Sequence, residues 1–259
     1  MLQRSSLFAW SLFCYAVFFA TFLYAVGFIG NLFVPKAIDS VPELPLWQAI
    51  AVNAGLLLVF ALQHSVMARP AFKRWWTQVI PPAAERATYV LMSSLAMILL
   101  FWGWQPIGGV IWQVQAAPWE GVILGLYLGG WLLLLAATFM LDHFELFGLR
   151  QAWHAMRDEP AVEAQFKTPW LYNHVRHPIY VGWLAIVWAT PTMTAAHLLF
   201  ALGCTGYILV GTLLEERDLQ RAHPEYAEYK RRVPMLVPSL RKRWVVDGAP
   251  VTTATVGEA

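Results

Sequence analysis

Charge is scarce in this chain of 259 residues: Asp, Glu, Lys and Arg together make up 13%, about half the ~25% of a soluble domain. The scarcity comes in blocks. No charged side chain lies between Arg4 and Lys36, Glu43 and Arg69, Arg86 and Glu120, Glu120 and Asp142, or Arg176 and Glu215. Each gap can hold a membrane-spanning helix, which needs roughly 20 apolar residues. With 58% hydrophobic residues and a mean hydropathy of +0.50, the chain does not read as a water-soluble domain. Cysteine is scarce too. Cys14 and Cys204 sit inside apolar runs, poorly placed for a disulfide framework or a zinc site, so they read as packing residues and no metal is expected. A net charge of +2 with no basic stripe leaves nucleic acid without an electrostatic footprint. No internal repeat is present, which argues against a small transporter. The first apolar run lacks a small-x-small site in "GFIGNLFVPK", and it exceeds a signal h-region of about 7–15 residues, so it reads as a retained anchor.

The apolar runs predict an all-α fold, a polytopic integral membrane helical bundle. About four spans, near 7–29, 47–67, 87–104 and 119–141, make up a transmembrane part, 1–141. Residues 142–259 then hold a polar connector, a C-terminal helical hairpin and a cytoplasmic tail. The hairpin, 178–214, is interrupted at "ATPTMT", and its first arm, Pro178 to Thr190, is too short to span easily. Positive charge alternates between loops: Arg69, Lys73, Arg74 and Arg86, then Arg150, Arg157, Lys167 and Arg176, then Arg231, Arg232, Arg241, Lys242 and Arg243. The positive-inside rule places both termini in the cytoplasm. Trp47, Trp75, Trp76, Trp102, Trp104, Trp112 and Trp119 lie near predicted span ends, as interfacial belts do. The stretch after Trp244, "VVDGAPVTTATVGEA", is small and polar and reads as loose.

The densest polar cluster, "YNHVRHPIYVG" at 172–182, sits at the edge of an apolar run. His177 precedes Pro178, which biases it away from the helical region. Proline suits a first helical turn, so a helix begins here with unpaired N–H groups that suit an anion. His174 and Arg176 add charge-assisted donors. Tyr180 offers a ring or a hydroxyl, and Gly182 permits close approach. If the two arms pack antiparallel around a turn at Pro191, residue 178 lies level with about 207. Glu215 and Glu216 then sit roughly 12 Å lower, leaving a gap for an elongated zwitterion. The two acids point to different helix faces, so one pairs with Arg217-type neighbours and the other is free to accept from an amine or a ribose. From the residues alone, interface snorkelling and surface ion pairs are the favoured reading.

The signature "LYNHVRHPIYVG…EERDLQRAHPEYAEYKRRVPMLVP" resembles that of integral-membrane methyltransferases, the group of isoprenylcysteine carboxyl and phospholipid N-methyltransferases. The resemblance covers roughly 165–240. It implies that His174, Arg176, His177, Pro178, Tyr180, Gly182, Glu215, Glu216, Tyr226 and Tyr229 bind S-adenosylmethionine. It also implies that the tail from Tyr226 through Val233 and Pro234 folds back as a lid. The rest of the chain, in "LQHSVMARPAFKRW", "PPAAERATYVLMSSL" and "FELFGLRQAW", is similar to the bacterial methanethiol S-methyltransferase family, within a wider family related to a nitric-oxide-associated membrane protein. That likeness implies a multi-pass enzyme of the bacterial inner membrane. It would methylate a small volatile thiol, methanethiol, to dimethyl sulfide, leaving S-adenosylhomocysteine, with no obligate protein partner.

Sulfur attacks best as thiolate, so a base or a thiolate-stabilising site would help. On one continuous helix, His143, Phe147 and Arg150 share a face. His143 would be the base, oriented by Asp142, with Arg150 nearby. The alternative is that Asp142, Glu145 and Arg150 merely cap the span. His64 in "LQHSVMAR" lies deeper and reads equally as an acceptor contact or a satisfied buried histidine. His197 reads as structural. Two other readings stay open: a methyltransferase for a prenylcysteine carboxylate or phospholipid amine, and a haem-binding membrane protein. The last would need facing histidines such as His64 and His143.

Overall fold

The computed structural model describes residues 2–160 and 167–239; the basic residues Arg241, Lys242 and Arg243 and the stretch after Trp244 lie outside them. In chain order the elements are α1 (Leu2–Gly30), α2 (Leu46–Ala68), α3 (Pro70–Trp76), α4 (Pro82–Gly103), β1 (Val110–Gln113), α5 (Trp119–Leu141), α6 (His143–Leu146) and α7 (Leu149–Arg157). A 3-10 turn (Trp170–Asn173), α8 (Pro178–Trp188), β2 (Thr192–Thr194), α9 (Ala195–Ala222) and α10 (Tyr226–Arg232) follow. Proline sets many starts: Pro70, Pro82 and Pro178 open α3, α4 and α8, where a missing N–H costs nothing.

Five helices, α1, α2, α4, α5 and α9, are long and apolar enough to cross a membrane. Their exposed side chains are greasy, Leu23, Leu58, Leu95, Leu126, Leu132 and Leu213 among them, as a lipid-facing surface requires. Of the tryptophans expected at the interface, Trp47, Trp75, Trp102 and Trp119 are exposed. Trp104 is not: it is wholly buried and donates to the Ile38 carbonyl at 3.2 Å. Cys14 and Cys204 are free thiols, buried and half-buried respectively.

The helices pack as a ring. α1 and α2 both lie against α4, α2 also against α9, and α8 between α9 and α5. The α5–α8 contact is the tightest: a Cβ on Gly182 would lie 2.8 Å from the Gly130 carbonyl. Small residues let membrane helices approach to backbone contact. The space at Gly182 is therefore filled by α5.

The C-terminal hairpin differs from expectation. Trp188 Nε1 donates to Thr205 Oγ1 at 3.0 Å, and Tyr180 donates to Glu215 at 2.8 Å. The base of α8 is thus level with Glu215, not with residue 207, and the expected gap above the acids is closed. The chain bends at Pro191 but does not reverse there. It runs on extended into β2, which pairs antiparallel with β1 through Val110–Thr194 and Gln113–Thr192. A strand climbs about 3.3 Å per residue, so the three residues of β2 add roughly 10 Å to the ~16 Å of α8 and meet β1 at the far end of the bundle. Half helix and extended segment together make a sixth crossing. Non-helical backbone at membrane depth persists only where protein satisfies it, and here it does. His197 Nε2 meets the Val187 carbonyl at 3.0 Å, Trp112 Nε1 the Thr190 carbonyl at 3.2 Å, and the Val114 N–H the Pro191 carbonyl at 2.8 Å. Six crossings bring both ends of the bundle to one side, where Arg4 pairs with Asp158 at 2.8 Å.

The main core lies in the opposite half of the bundle, around Phe28, Ile38, Leu100, Trp104, Ile107, Ile186 and Phe200. In the half nearest the polar signature, the inward-facing Phe60, His64, Tyr89, Ser93, Tyr180 and Tyr207 are only half-buried.

Candidate active site

Glu216, on α9, is 1% exposed. A buried carboxylate persists only with charge-assisted partners, and it has three. Arg176 Nε donates to Oε1 at 2.7 Å, His177 Nε2 lies 3.2 Å from the same oxygen, and Lys230 Nζ lies 2.8 Å from Oε2. Arg176 goes further and donates to the Lys230 carbonyl at 3.0 Å and to that of Val233. The backbone N–H groups of Arg176 and His177 donate to the carbonyls of Pro234 and Met235. The residues expected as free donors at the start of α8 are thus committed to protein partners. They tie α8, α9 and α10 into one unit.

The C-terminal tyrosines complete it. Tyr226 and Tyr229 are buried against Leu219 and Val233, and Tyr229 donates to the Tyr172 carbonyl at 2.6 Å. Burial raises the pKa values of Tyr172, Tyr226 and Tyr229, so all three hydroxyls stay protonated. His174 Nδ1 lies 3.2 Å from the Ser239 carbonyl. The segment from Tyr226 does fold back over the signature.

Glu215 is the other half of the acid pair. Its side chain is 44% exposed. It accepts from Tyr180, whose ring stacks on His177 at 5.4 Å. Arg217, the expected partner of one acid, is exposed. Chemically, Glu215 is the acid that can accept from an incoming amine or diol, and Glu216 is the one that holds the frame.

The expected helix over 142–150 is broken. Asp142 has φ 87° and Gly148 φ 84°, left-handed values that end α5 and separate α6 from α7. His143 and Arg150 therefore do not share a helix face. Asp142 accepts from the Glu145 N–H at 3.2 Å and pairs with Arg150; it does not orient His143. That role falls to residues the sequence did not indicate. Thr138 Oγ1 spends its proton on the Leu135 carbonyl, 2.7 Å away, so at 2.9 Å it accepts from His143 Nδ1. Nε2 is left to accept from Tyr15 at 2.9 Å. The ring stacks on Phe139 at 4.2 Å and lies 4.7 Å from Phe147. Burial depresses the basicity of His143, and Asp142 only partly offsets this.

His64 shows the same logic in an open setting. Ser93 Oγ donates to the Tyr89 carbonyl at 2.9 Å, so at 3.1 Å it accepts from His64 Nδ1. The Tyr89 hydroxyl lies 3.1 Å from Nδ1 and 2.9 Å from Nε2, and with the proton on Nδ1 it donates to Nε2. Phe60 stacks on the imidazole at 5.3 Å, and Tyr207 lies edge-on at 6.2 Å. The two histidines have separate partners on different helices, so the facing pair a haem would need is not formed. Tyr89 and Tyr207 carry no sequence motif; only their position opposite His64 marks them.

The model of the family described as "NnrU protein" matches residues 53–253. A protein of Crocosphaera subtropica named methanethiol S-methyltransferase is 49% identical, over 93% of this chain and 95% of its own length. Methanethiol S-methyltransferase 2 of Bradyrhizobium diazoefficiens is 51% identical, over 95% of both chains. Nurim of Sus scrofa is 32% identical, over 72% of this chain and 73% of its own. No solved structure matches. With a family model over most of its length and relatives near half identity, the chain belongs to the NnrU protein family and, within it, to the methanethiol S-methyltransferases.

Proposed function

We propose that this multi-pass membrane protein methylates methanethiol to dimethyl sulfide with S-adenosylmethionine as donor. It would act at the bacterial inner membrane with both termini in the cytoplasm. The observation that carries the reading is the division of labour at the acid pair: Glu216 is locked by Arg176, His177 and Lys230, while Glu215 stands 44% exposed beside Tyr180. The donor set fits an S-adenosyl group. Glu215 can accept from its amine or ribose hydroxyls, and the stacked faces of Tyr180 and His177 suit a cationic sulfur. When bound, the donor supplies an activated methyl group. Arg176, His177 and Lys230 hold the frame, and Tyr226, Tyr229 and Val233 cover it and exclude water. Pro178 starts α8 at the level of the acids, and Gly182 seats α8 on α5. A small apolar thiol can enter from the bilayer, and its uncharged product can leave the same way.

The test is headspace gas chromatography on purified protein given S-adenosylmethionine and methanethiol, with calorimetric titration of the donor. Dimethyl sulfide above a no-enzyme control supports the reading. Tight donor binding without product would move the acceptor to a prenylcysteine carboxylate or a phospholipid amine. Neither binding nor product would overturn it, and a Soret band would then favour haem.

A further inference from the structure

We propose that the thiol is bound and deprotonated in a polar nest formed by His64 and Ser65 of α2, Tyr89 and Ser93 of α4 and Tyr207 of α9, with His64 Nε2 as the final proton acceptor. This deepens the methyltransferase reading and rests on it. Three observations converge. The first is placement: these side chains sit one to two turns inside the bundle, in the half that the main core does not fill. They face each other across three helices yet remain half-buried. A cluster containing an ionisable group at membrane depth is a functional candidate by default.

The second is polarity of the network. Ser93 fixes the proton of His64 on Nδ1, which leaves Nε2 basic and in contact with the Tyr89 hydroxyl at 2.9 Å. Such an orienting hydrogen bond decides which ring nitrogen works. Ser65 Oγ reaches the Tyr207 hydroxyl at 3.3 Å, so that hydroxyl keeps its own proton to donate to sulfur. The third is continuity with the donor site. Tyr180 donates to Glu215, and Tyr207 lies eight residues from Glu215 on α9, about 12 Å along the helix. His143 has no such link. It is buried between aromatic rings, whereas His64 is half-buried.

The step balances as follows. The thiol proton passes to the Tyr89 oxygen while the Tyr89 proton passes to His64 Nε2. The thiolate sulfur, held by the Tyr207 hydroxyl, forms the new bond to the donor's methyl carbon. The broken carbon–sulfur bond leaves its electron pair on the donor's sulfur. The proton on His64 then returns to water by way of Tyr89.

Positioned proton transfer contributes about 10²–10⁴-fold. His64→Gln is therefore expected to lower kcat for methanethiol by about 100-fold or more with donor affinity by calorimetry unchanged. The decisive comparison uses trifluoroethanethiol, a more acidic thiol that needs less help to ionise: His64→Gln should lose less than about 10-fold with it, because a better acid depends less on the base. Tyr89→Phe, which keeps the ring and removes only the relay hydroxyl, should behave the same way. An independent readout is the ultraviolet thiolate absorbance when methanethiol is added to enzyme loaded with S-adenosylhomocysteine. It should appear in the unmodified protein and be lost in both variants. Equal losses with both thiols, full activity in both variants, or retained thiolate absorbance would overturn the assignment. If the unmodified protein neither binds donor nor makes product, the methyltransferase reading fails instead.

Discussion

Glu216 meets the cations of Arg176 and Lys230 and the ring of His177, and is almost sealed from solvent, so its removal is first a structural injury. Breaking a buried ion pair from one side costs about 3–5 kcal/mol, because the remaining charges keep their desolvation penalty. Glu216→Ala should lower the melting temperature in detergent and weaken donor binding together. Glu215→Gln should leave melting nearly unchanged and reduce donor affinity, since a half-exposed group loses little on neutralisation. A reversed pattern in the two titrations would exchange the roles. The sequence showed that the two acids face differently, but not which one is buried. That depends on Lys230 and Arg176, 14 and 40 positions away along the chain.

His143 supplies a pH dependence at the same scale. Its folded pKa lies below the ordinary 6.5 because burial disfavours the imidazolium. The unfolded chain therefore takes up a proton before the folded one does. Stability from this group is fully present above about 6.5 and is lost as pH falls toward the depressed folded value. Melting temperature should decline on acidification below that point, and His143→Gln should flatten the decline. A slope identical in the variant would place the proton uptake elsewhere. Tyr15 and Thr138, which hold this ring, sit in α1 and α5, and no local motif announces such a pairing.

At the scale of elements, the spans were legible because charge-free runs and helix-starting prolines are local signals. The fourth span, 119–141, coincides with α5. The height of the hairpin was not legible. "ATPTMT" reads as a turn, and its extended climb depends on β1, about 80 residues earlier in the chain, and on carbonyl partners from Trp112 and His197. Likewise Gly182 was visible as a close-approach residue, but its neighbour is α5. A Cβ there would meet the Gly130 carbonyl at 2.8 Å and the Leu134 nitrogen at 3.0 Å. Backbone cannot step aside as a side chain can, so Gly182→Ala should cost about 1–3 kcal/mol, read as a lower melting temperature. Gly206→Ala, on α9 with nothing within 4 Å, should be neutral or slightly stabilising, since alanine is the better helix former. If both substitutions melt alike, the α5–α8 seam is looser than the geometry requires.

At the scale of the whole molecule, six crossings fix both ends of the bundle on one side, and the signature, the acid pair and α10 lie there. Charge supports the proposed cytoplasmic side. Lys73 and Arg74 lie in α3 at that end, with Arg69 and Arg86 on either side of it, and α10 carries Lys230, Arg231 and Arg232. The opposite loops hold little more than Lys36. Positive loops stay in the cytoplasm, which is also where a water-soluble, charged methyl donor is available. Single-cysteine labelling tests this with low background, because Cys14 is buried and Cys204 sits half-buried within a span. Val41 is 81% exposed in the loop between α1 and α2, so Val41→Cys should react with a membrane-impermeant maleimide on intact cells. Arg231→Cys, on exposed α10 surface, should react only after permeabilisation. The opposite pattern would place the acid pair outside the cell, away from any cytoplasmic donor, and would count against the methyltransferase mechanism as well as the orientation. Labelling of both sites from one side would contradict the placement of the α1–α2 loop and α10 at opposite ends of the bundle.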